Sequence, residues 1–355
     1  MKTWHLLAPE YPPVCGGVGD YTALLAEGLR TAGDPVRVWH PGTLPDRFGP
    51  RARAVLDAAL REEPGVLLVQ YVPASFGLRG MNVPFCRWLN RLGRWGLDVR
   101  VMIHEPFFYF GFERPWRNGL AIVQRVMLAL VLRNAARVYY STGAWTRLLE
   151  RYPQRGTPEV LPIPSTIPVD ARADAVAAAR DRARGRLTIG HFGTYGDHVG
   201  DQLSRVLPEM LRQLPDARLL LAGRGAAAFA AVLNGAQSRT DVVESSDGAS
   251  IAAALRACDI LVQPYPDGVT TRRTSMMASL ASGVPVVTTR GTLTEPVWFE
   301  SGAVALADAD DPRSVAEAVV RLAQDSVARR DLGARGRRLY DMQFDLATTV
   351  ARIRR

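Results

Sequence analysis

The chain has 355 residues and 44 basic side chains, and its only lysine is Lys2, so every other basic side chain is arginine. This composition excludes chemistry that needs a lysine in the body of the chain, such as a Schiff base or the phosphate-binding lysine of a P-loop. A hydrophobic content of 47% and a charged content of 22% are typical of a globular protein, and the length predicts about two domains.

The net charge of +9 arises mainly in the N-terminal half, because residues 1–165 hold 20 basic and 13 acidic side chains. A basic half favours an anionic partner, which can be nucleic acid, an anionic membrane surface or a phosphorylated substrate. Nucleic acid is not expected, since the sequence has no zinc-finger spacing, RNP motif or basic tail.

The three cysteines, Cys15, Cys86 and Cys258, are far apart, and their spacing predicts neither a metal site nor a disulfide framework. The first apolar run is too short for a signal peptide, and the most apolar longer stretch, residues 119–132, is too short to span a bilayer. We therefore expect a cytoplasmic protein with no metal.

Short apolar runs alternate with helical patterns along the first half of the chain. We predict six strands there, at Thr3–Ala8, Pro35–His40, Gly65–Val72, Val99–His104, Arg137–Ser141 and Glu159–Ile163. Between them we predict helices at Tyr21–Thr31, Val55–Arg61, Pro84–Trp95, Gly119–Ala135 and Ala144–Arg151. This alternation, with continuously apolar strands, predicts a parallel sheet that is covered on both faces.

A Pro-rich and then polar segment follows, and we interpret it as the crossing between two domains. A second series of strands is predicted at Leu187–Phe192, Arg218–Ala222, Asp241–Glu244, Asp259–Pro264, Val284–Thr288 and Ala303–Ala305. The intervening helices include Gln202–Gln213, Ser250–Ala257 and Ser275–Ala281, and only helical patterns follow Pro312. Two doubly wound α/β domains place ligands at the carboxyl ends of strands, so we expect the site in a cleft between the domains.

Glycine-rich turns follow three of these strands. The first turn holds Gly16 and Gly17, the second holds Gly193 and Thr194, and the third contains Arg224 between two glycines. Glycines at a strand-to-helix turn let backbone N–H groups approach an anion at the helix N-terminus. The spacing is not that of a dinucleotide fingerprint, and a tight turn without a ligand is the alternative. Together, the three turns predict a nucleotide or phosphate site.

Several motifs, in this order along nearly the whole chain, resemble the retaining GT-B glycosyltransferases of the family-4, or group 1, type. They are APEYPPVCGGVGDYTALLAEGL, VMIHEPF, VYYSTGAWTRLLER, VLPIPSTIP, IGHFGTYGDHVGDQLSRVLPEML, RLLLAGRG and LRACDILVQPYPDGVTTRRTSMMASLASGVPVVTT. The resemblance implies an α/β GT-B fold with two Rossmann-like doubly wound domains that face each other across a cleft. It implies an acceptor-binding domain at 1–168, a nucleotide-sugar domain at 169–340, and a C-terminal helix at 341–355 that packs back toward the first domain.

The sequence departs from this family at the donor site. The family commonly has two Glu residues before the A-x-G-x-P-V-V segment, and these positions fall on Thr270 and Ala278. If a gap is allowed, Asp267 and Gly268 stand where the family begins its Glu-Gly-Phe. The family's Arg and Lys near the start of the second domain fall on Thr194 and Val199.

An arginine pair, Arg272 and Arg273, offers a replacement for the missing cations. The pair precedes a predicted helix whose N-terminus favours an anion, and arginine makes bidentate contacts with phosphate. The hydroxyls of Thr270 and Ser275 lie beside it. We predict that this loop binds the donor diphosphate; a solvated arginine pair at a helix start is the alternative.

His104 ends a predicted strand and is followed by Glu105. Both are candidates for the catalytic role, His104 toward the sugar or leaving group and Glu105 toward His104 or the acceptor hydroxyls; a buried structural histidine is the alternative. The resemblance implies no clear protein nucleophile, so the donor phosphate would help to deprotonate the acceptor. Catalysis would then consist of positioning and of stabilising the charge on the leaving group.

Basic and aromatic residues are interleaved in residues 79–125. This segment holds eight arginines, which are Arg79, Arg87, Arg91, Arg94, Arg100, Arg114, Arg117 and Arg125. The composition favours an anionic membrane surface, and many relatives use lipid-linked acceptors. A solvated face over core aromatics is the alternative.

The sequence thus predicts transfer of a hexose-type sugar, with retention, from a nucleotide-sugar donor to a glycan, lipid-linked or small-molecule hydroxyl. The nucleotide sugar is a co-substrate, and no cofactor or metal is expected. A non-catalytic binding or scaffold subunit is the second hypothesis, because the usual donor-site residues are missing. Another enzyme on the same fold is the third, although a pyridoxal-phosphate phosphorylase would need a lysine.

Overall fold

The computed structural model describes residues 2–14, 16–112, 115–155, 158–233, 235–245 and 247–355, apart from the side chain of Asp197. The chain divides into two compact units. Unit 1 comprises the residues up to Pro162 together with Thr349–Arg355, and unit 2 comprises Ile163–Thr348. Each unit is built on a sheet of six parallel strands.

The sheet of unit 1 has the order β2-β1-β3-β4-β5-β6. Its strands are β1 (Thr3–Leu7), β2 (Val36–Trp39), β3 (Gly65–Tyr71), β4 (Asp98–Ile103), β5 (Arg137–Tyr140) and β6 (Glu159–Val160). Its helices are α1 (Gly17–Thr31), α2 (Pro50–Glu62), α3 (Val83–Arg94), α4 (Trp116–Arg133) and α5 (Thr146–Leu149), with short 3₁₀ turns at Pro73–Ser75, Leu78–Gly80 and Gly143–Trp145.

The sheet of unit 2 has the order β12-β11-β10-β7-β8-β9. Its strands are β7 (Thr188–Phe192), β8 (Arg218–Ala222), β9 (Thr240–Val243), β10 (Ile260–Gln263), β11 (Val286–Arg290) and β12 (Ala305–Asp308). Its helices are α6 (Ala173–Arg182), α7 (Asp197–Gln213), α8 (Ala226–Val232), α9 (Gly248–Ala257), α10 (Thr274–Ser282), α11 (Pro296–Glu300), α12 (Pro312–Gln324) and α13 (Ser326–Leu339). A π turn at Tyr340–Phe344 leads into α14 (Leu346–Ile353).

Apolar strands explain both sheets. In β3, every residue after Gly65 is buried, so helices cover both of its faces. In unit 2, two separate apolar clusters lie on the sheet, one containing Leu219 and the other Leu220. Because successive side chains of a strand point to opposite faces, these clusters occupy the two sides of the sheet. Both units are therefore doubly wound α/β domains, as the sequence predicted.

Each predicted strand overlaps an observed one, but three of the described helices, α6, α8 and the five-residue α11, were not among those predicted. The first is α6, which lies within the segment that we interpreted as the crossing and has no buried residue. It therefore lacks the apolar stripe by which a helix is recognised in sequence. The second is α8, a helix of 7 residues that begins after Gly225.

The last residues of the chain are fixed to unit 1 by arginine side chains. Arg352 Nε donates to Glu159 Oε1 at 2.6 Å, and Arg354 Nε lies 2.8 Å from Asp34 Oδ2. In the other direction, buried Arg100 donates from Nη1 to the carbonyl of Ile353 at 2.6 Å. Residues 341–355 are thus divided between the two units. Phe344 packs in the core of unit 2, whereas Thr349–Arg355 belong to unit 1.

Each unit contains one buried free cysteine among the described residues. Cys86 lies in the core of unit 1, and burial raises the pKa of its thiol to about 12. Cys258 lies in unit 2 against Gly190, where a Cβ would approach its Sγ to 2.5 Å, and burial raises its pKa as well. Cys15 lies outside the described residues.

Candidate functional site

The carboxyl edge of the unit 2 sheet brings most of the predicted donor-site residues together. Strand β7 pairs with β8 on one side and with β10 on the other, so the strand order reverses at β7. Ligands of doubly wound sheets bind at such a reversal, outside the carboxyl ends of the strands. The predicted residues that follow these three strands are Gly193, Thr194, Arg224, Asp267, Gly268, Thr270, Arg272, Arg273 and Ser275.

The loop between β10 and α10, which we call the arginine loop (residues 264–273), is held in place from three sides. The N–H of Val269 donates to the carbonyl of Thr289 at 2.8 Å, and the carbonyl of Thr271 accepts from Ile163 at 3.1 Å. Gly268 has a φ of +87°, and a Cβ there would overlap Thr294 Oγ1. Only glycine fits this close approach without strain.

Buried Glu295 supplies the third side. Its carboxylate accepts hydrogen bonds from the backbone N–H and the hydroxyl of Thr271, the second at 2.7 Å. The indole of Trp298 donates to the same carboxylate at 3.4 Å. A buried carboxyl group that accepts several hydrogen bonds fixes its neighbours, so Glu295 sets the course of the arginine loop.

The end of the arginine loop carries positive charge at a helix start. Arg273 is the N-cap residue of α10, and its side chain makes no capping hydrogen bond to the first turn of the helix. Its guanidinium carbon lies 4.8 Å from the ring centre of Tyr265, while its Nε is buried without a hydrogen-bond partner among the described residues. The pair Arg272 and Arg273 therefore adds two charges to a helix end that already favours anions.

The ring of Tyr265 is a neutral platform against the guanidinium of Arg273. Burial raises the pKa of its hydroxyl to about 12, despite the opposing hydrogen bond of Ser275 and the charge of Arg273. The hydroxyl lies 2.8 Å from Ser275 Oγ, so Ser275 is engaged with the platform as well as being the second residue of α10.

Three buried polar atoms near the same edge have no hydrogen-bond partner in the described structure. They are Gln263 Oε1, Thr270 Oγ1 and His191 Nε2. The imidazole of His191 donates from Nδ1 to the carbonyl of Val262 at 2.8 Å, and burial lowers its pKa to about 4. It is therefore neutral at pH 7, with Nε2 as an acceptor. Buried polar atoms are usually paired, so this edge has unused hydrogen-bonding capacity.

The other predicted phosphate turn lies in unit 1, after β1. Gly17 begins α1, and Gly16 curves so closely around the carboxylate of Glu10 that a Cβ would overlap it. The N–H of Gly19 donates to Glu10 Oε1 at 3.3 Å. A carboxylate of the protein itself thus lies at this turn, and anion binding by Gly16 and Gly17 stays a prediction.

The two predicted catalytic residues also lie in unit 1, at the end of β4. His104 is buried, with Nε2 2.7 Å from Gln70 Oε1 and its ring edge-on to Tyr21 at 5.4 Å. Glu105 is exposed, and its backbone N–H donates to the carbonyl of Tyr71 at 3.5 Å. The catalytic roles of both stay predictions.

Sequence reasoning missed Glu295, Gln263 and Tyr265 as parts of this site. The Glu-Pro pair at 295 is a helix-start signal, because proline favours the first helical position. Nothing in that signal indicates burial against a loop more than 20 residues earlier in the chain. Among the described residues, no group of three or more His, Cys, Asp or Glu side chains could hold a metal ion.

Comparisons with known proteins point to the same unit. Residues 186–325 match the sequence model of a family described as glycosyl transferases group 1, and this segment includes the turns after β7, β8 and β10. No curated protein matches the chain in sequence.

The chain is similar in structure to three proteins of known structure. Sucrose-phosphate synthase from Thermosynechococcus elongatus has a TM-score of 0.74 at 17% identity, covering 99% of this chain and 97% of that one. Alr3699/HepE from Anabaena, solved in complex with UDP and glucose, has a TM-score of 0.70 at 13% identity, covering 100% of this chain and 98% of that one. An α,α-trehalose-phosphate synthase (UDP-forming) from Burkholderia vietnamiensis has a TM-score of 0.69 at 14% identity, covering 99% of this chain and 96% of that one. These likenesses confirm the GT-B fold of two Rossmann-like domains.

Proposed function

We propose that the protein is a glycosyltransferase that moves a sugar, with retention, from a nucleotide-diphosphate donor to a hydroxyl acceptor. The observation that carries the proposal is the arginine pair at the start of α10, on a loop fixed by Glu295 beside the strand-order reversal. The family match of residues 186–325 supports it, as does the similarity to a protein solved with UDP and glucose.

In this proposal the donor diphosphate lies against Arg272, Arg273 and the first N–H groups of α10. Charge develops on the diphosphate as the sugar leaves, and fixed guanidinium groups and a helix N-terminus stabilise it without reorganising. The loop's other hydroxyls and the unpaired atoms at His191 and Gln263 hold the rest of the donor. His104 and Glu105 act on the acceptor side, and the leaving phosphate helps to take the acceptor's proton.

Removal of the pair's charge tests the donor site. We expect the double substitution Arg272→Gln with Arg273→Gln to weaken the binding of nucleoside diphosphates about 10- to 100-fold, since a charge-assisted hydrogen bond contributes about 1.5–3 kcal/mol. Titration calorimetry with UDP, GDP and ADP measures this. The matched control is Arg205→Gln with Arg330→Gln, two exposed arginines of unit 2, which should bind as the wild type does. Unchanged affinity in the first variant would contradict the proposal.

A non-catalytic binding subunit is the second candidate, and the replaced family positions favour it. Thr270 and Ala278 stand where the resemblance expects glutamates, and both are buried. Hydrolysis of a panel of nucleotide sugars separates the two candidates. A wild-type protein that binds nucleoside diphosphates, but neither hydrolyses nor transfers any donor sugar, is the subunit rather than the enzyme.

We further propose that unit 1 docks on an anionic membrane surface on the cytoplasmic side. Helices α3 and α4 pack against each other and contain no acidic residue. Trp95 and Trp116 are 69% and 71% exposed, and Arg91 lies over the Trp95 ring at 4.9 Å. Exposed aromatic rings between arginines suit a lipid interface. None of the described helices has the length and apolar character that a bilayer crossing requires. Arg114, part of the predicted patch, lies outside the described residues.

Flotation with phosphatidylglycerol vesicles tests this docking. We expect wild-type protein to float with the vesicles at low salt, and the floated fraction to fall as salt screens the arginines. Trp95→Ser with Trp116→Ser should lose most of the binding. Phe299→Ser removes an aromatic ring of unit 2 that is 56% exposed, and it should not reduce the binding. Absence of salt-sensitive flotation in the wild type would end the membrane proposal.

A further inference from the structure

A pocket of about 800 Å³ lies entirely within unit 1. Its walls come from the segments that follow β1, β2 and β3, represented by Glu10, His40 and Arg79. Strand β1 pairs with β2 on one side and with β3 on the other, so the strand order reverses here too. The pocket thus stands where a doubly wound sheet binds its ligand, and its size suits a small molecule.

The acidic side chains of the pocket are already engaged, whereas two of its arginines are not. Asp46 accepts from the backbone N–H groups at the start of α2, including that of Ala52 at 2.8 Å, and Glu10 accepts from Gly19. The side chains of Arg47 and Arg79 make no hydrogen bond or ion pair with any described residue, and both are exposed. The pocket therefore presents two guanidinium groups that pair with no described residue and are available to a ligand.

The two segments that carry these arginines are tied to each other. Gly77 has a φ of +81°, and a Cβ there would approach the carbonyl oxygen of Arg47 to 2.9 Å. The buried amide of Asn82 donates to the carbonyls of both segments, to Phe76 at 2.7 Å and to Phe48 at 3.4 Å. The positions of the two arginine backbones are thus fixed before a ligand arrives.

The backbone beside both arginines is strained. Leu78 and Arg79 have φ values of +49° and +55°, and Phe48, which follows Arg47, has +56°. Side-chain-bearing residues rarely adopt this region, and such strain concentrates at functional sites, where the surrounding structure maintains it. Here the strain accompanies the presentation of arginine side chains toward a pocket.

An aromatic pair forms another part of the pocket lining. Tyr11 and His40 stack with ring centres 5.0 Å apart, and the Gly42 N–H donates to His40 Nδ1 at 3.2 Å. His40 Nε2 therefore carries the proton of the neutral ring and is a donor. Stacked rings suit the apolar face of a sugar ring, and a donor nearby suits its hydroxyls.

From these features we infer that the unit 1 pocket binds the acceptor through a phosphate ester on a sugar, with Arg47 and Arg79 on the phosphate and the Tyr11–His40 pair on the ring. Two guanidinium groups match a dianionic phosphate monoester in charge and in hydrogen-bond geometry. Only the identification of this ligand as the acceptor rests on the proposed function, because binding of a sugar phosphate in the pocket does not require the donor.

Titration calorimetry with full-length protein tests the inference, using glucose 6-phosphate, inorganic phosphate and glucose as probes. We expect both phosphates to bind and glucose not to saturate. Arg47→Gln with Arg79→Gln should raise the Kd for glucose 6-phosphate at least ten-fold, and lysine at both positions should restore part of the affinity. Arg61→Gln, an exposed arginine of α2 outside the pocket, is the matched control.

The source of the phosphate is tested with phosphatidylcholine vesicles that contain phosphatidic acid. Binding of glucose 6-phosphate that needs the two arginines indicates a soluble sugar phosphate, and vesicle binding that needs them indicates a lipid-linked one. Equal binding by wild type and the double variant, or no phosphate binding by either, would overturn the inference. UDP binding by the wild type is measured in parallel. If the wild type did not bind UDP, the proposed function would be contradicted, but phosphate binding that needs the two arginines would still support the inference about the pocket.

Discussion

At the scale of single residues, burial determines what His191 can do. The ring lies between Val262 and Tyr195, edge-on to the tyrosine at 5.2 Å, and only 2% of the residue is exposed. Burial disfavours the imidazolium ion, because its charge would lose water without gaining a counter-charge. His191 is therefore an acceptor at Nε2 and not a cation for the donor diphosphate.

This protonation state predicts a pH dependence of stability. The pKa of His191 is about 4 in the folded protein and 6.5 ordinarily, so between these values the unfolded chain binds more protons. The free energy of unfolding should therefore fall as the pH falls through this window, by up to about 1.4 kcal/mol per pH unit. Urea titrations from pH 7 to pH 4 measure it.

The substitution His191→Gln should make the fall with pH shallower, since it removes the titrating group. His198→Gln, at an exposed histidine of the same unit, is the control and should leave the slope unchanged. Identical slopes for the wild type and His191→Gln would show that burial does not lower the pKa of His191 in the folded protein.

At the scale of elements, the arginine loop depends on one carboxylate. We expect Glu295→Gln to lower the free energy of unfolding by about 1–3 kcal/mol, because its amide group would meet donors of Thr271 or Trp298 where an acceptor stood. The same change should weaken UDP binding, since the loop loses its fixed course. Denaturant titration and calorimetry measure the two effects.

Glu300→Gln is the matched control, because Glu300 is an exposed residue of α11 and none of the bonds to the loop involves it. If Glu295→Gln lowered stability but left UDP affinity intact, the carboxylate would support the fold without shaping a nucleotide site.

The elements show which physical signals a sequence carries. Continuous apolar runs predicted the strands, because a strand buried on both faces has few other compositions. The arginine pair was also visible, as two charges next to a helix start. Glu295 was not, since its burial depends on a loop that meets it only after the chain has folded. Likewise, α6 has no apolar face to reveal it.

At the scale of the whole molecule, length predicted two domains, and Thr349–Arg355 complete unit 1 in the structure. We expect a chain ending at Thr348 to lose about 2 kcal/mol or more from unit 1, because buried Arg100 would lose the carbonyl of Ile353. Hydrogen exchange read by mass spectrometry should show faster exchange in β4–β6 and unchanged exchange in β7–β12.

Removal of Arg355 alone is the control for this truncation, since Arg352, Ile353 and Arg354 make the contacts with unit 1. Equal loss of protection in both sheets would show that the truncation acts on the whole chain and not on unit 1.

The two buried cysteines, one in each unit, are local probes of how often each unit opens. A thiol reacts with an alkylating reagent as its thiolate, and burial suppresses both access and ionisation at Cys86 and Cys258. Each thiol is therefore modified only when its own unit opens. Timed alkylation of one unmodified sample, followed by peptide mapping, reads the opening rate of each unit separately. A nucleotide that slows the alkylation of Cys258 but not that of Cys86 would thus be shown to bind unit 2.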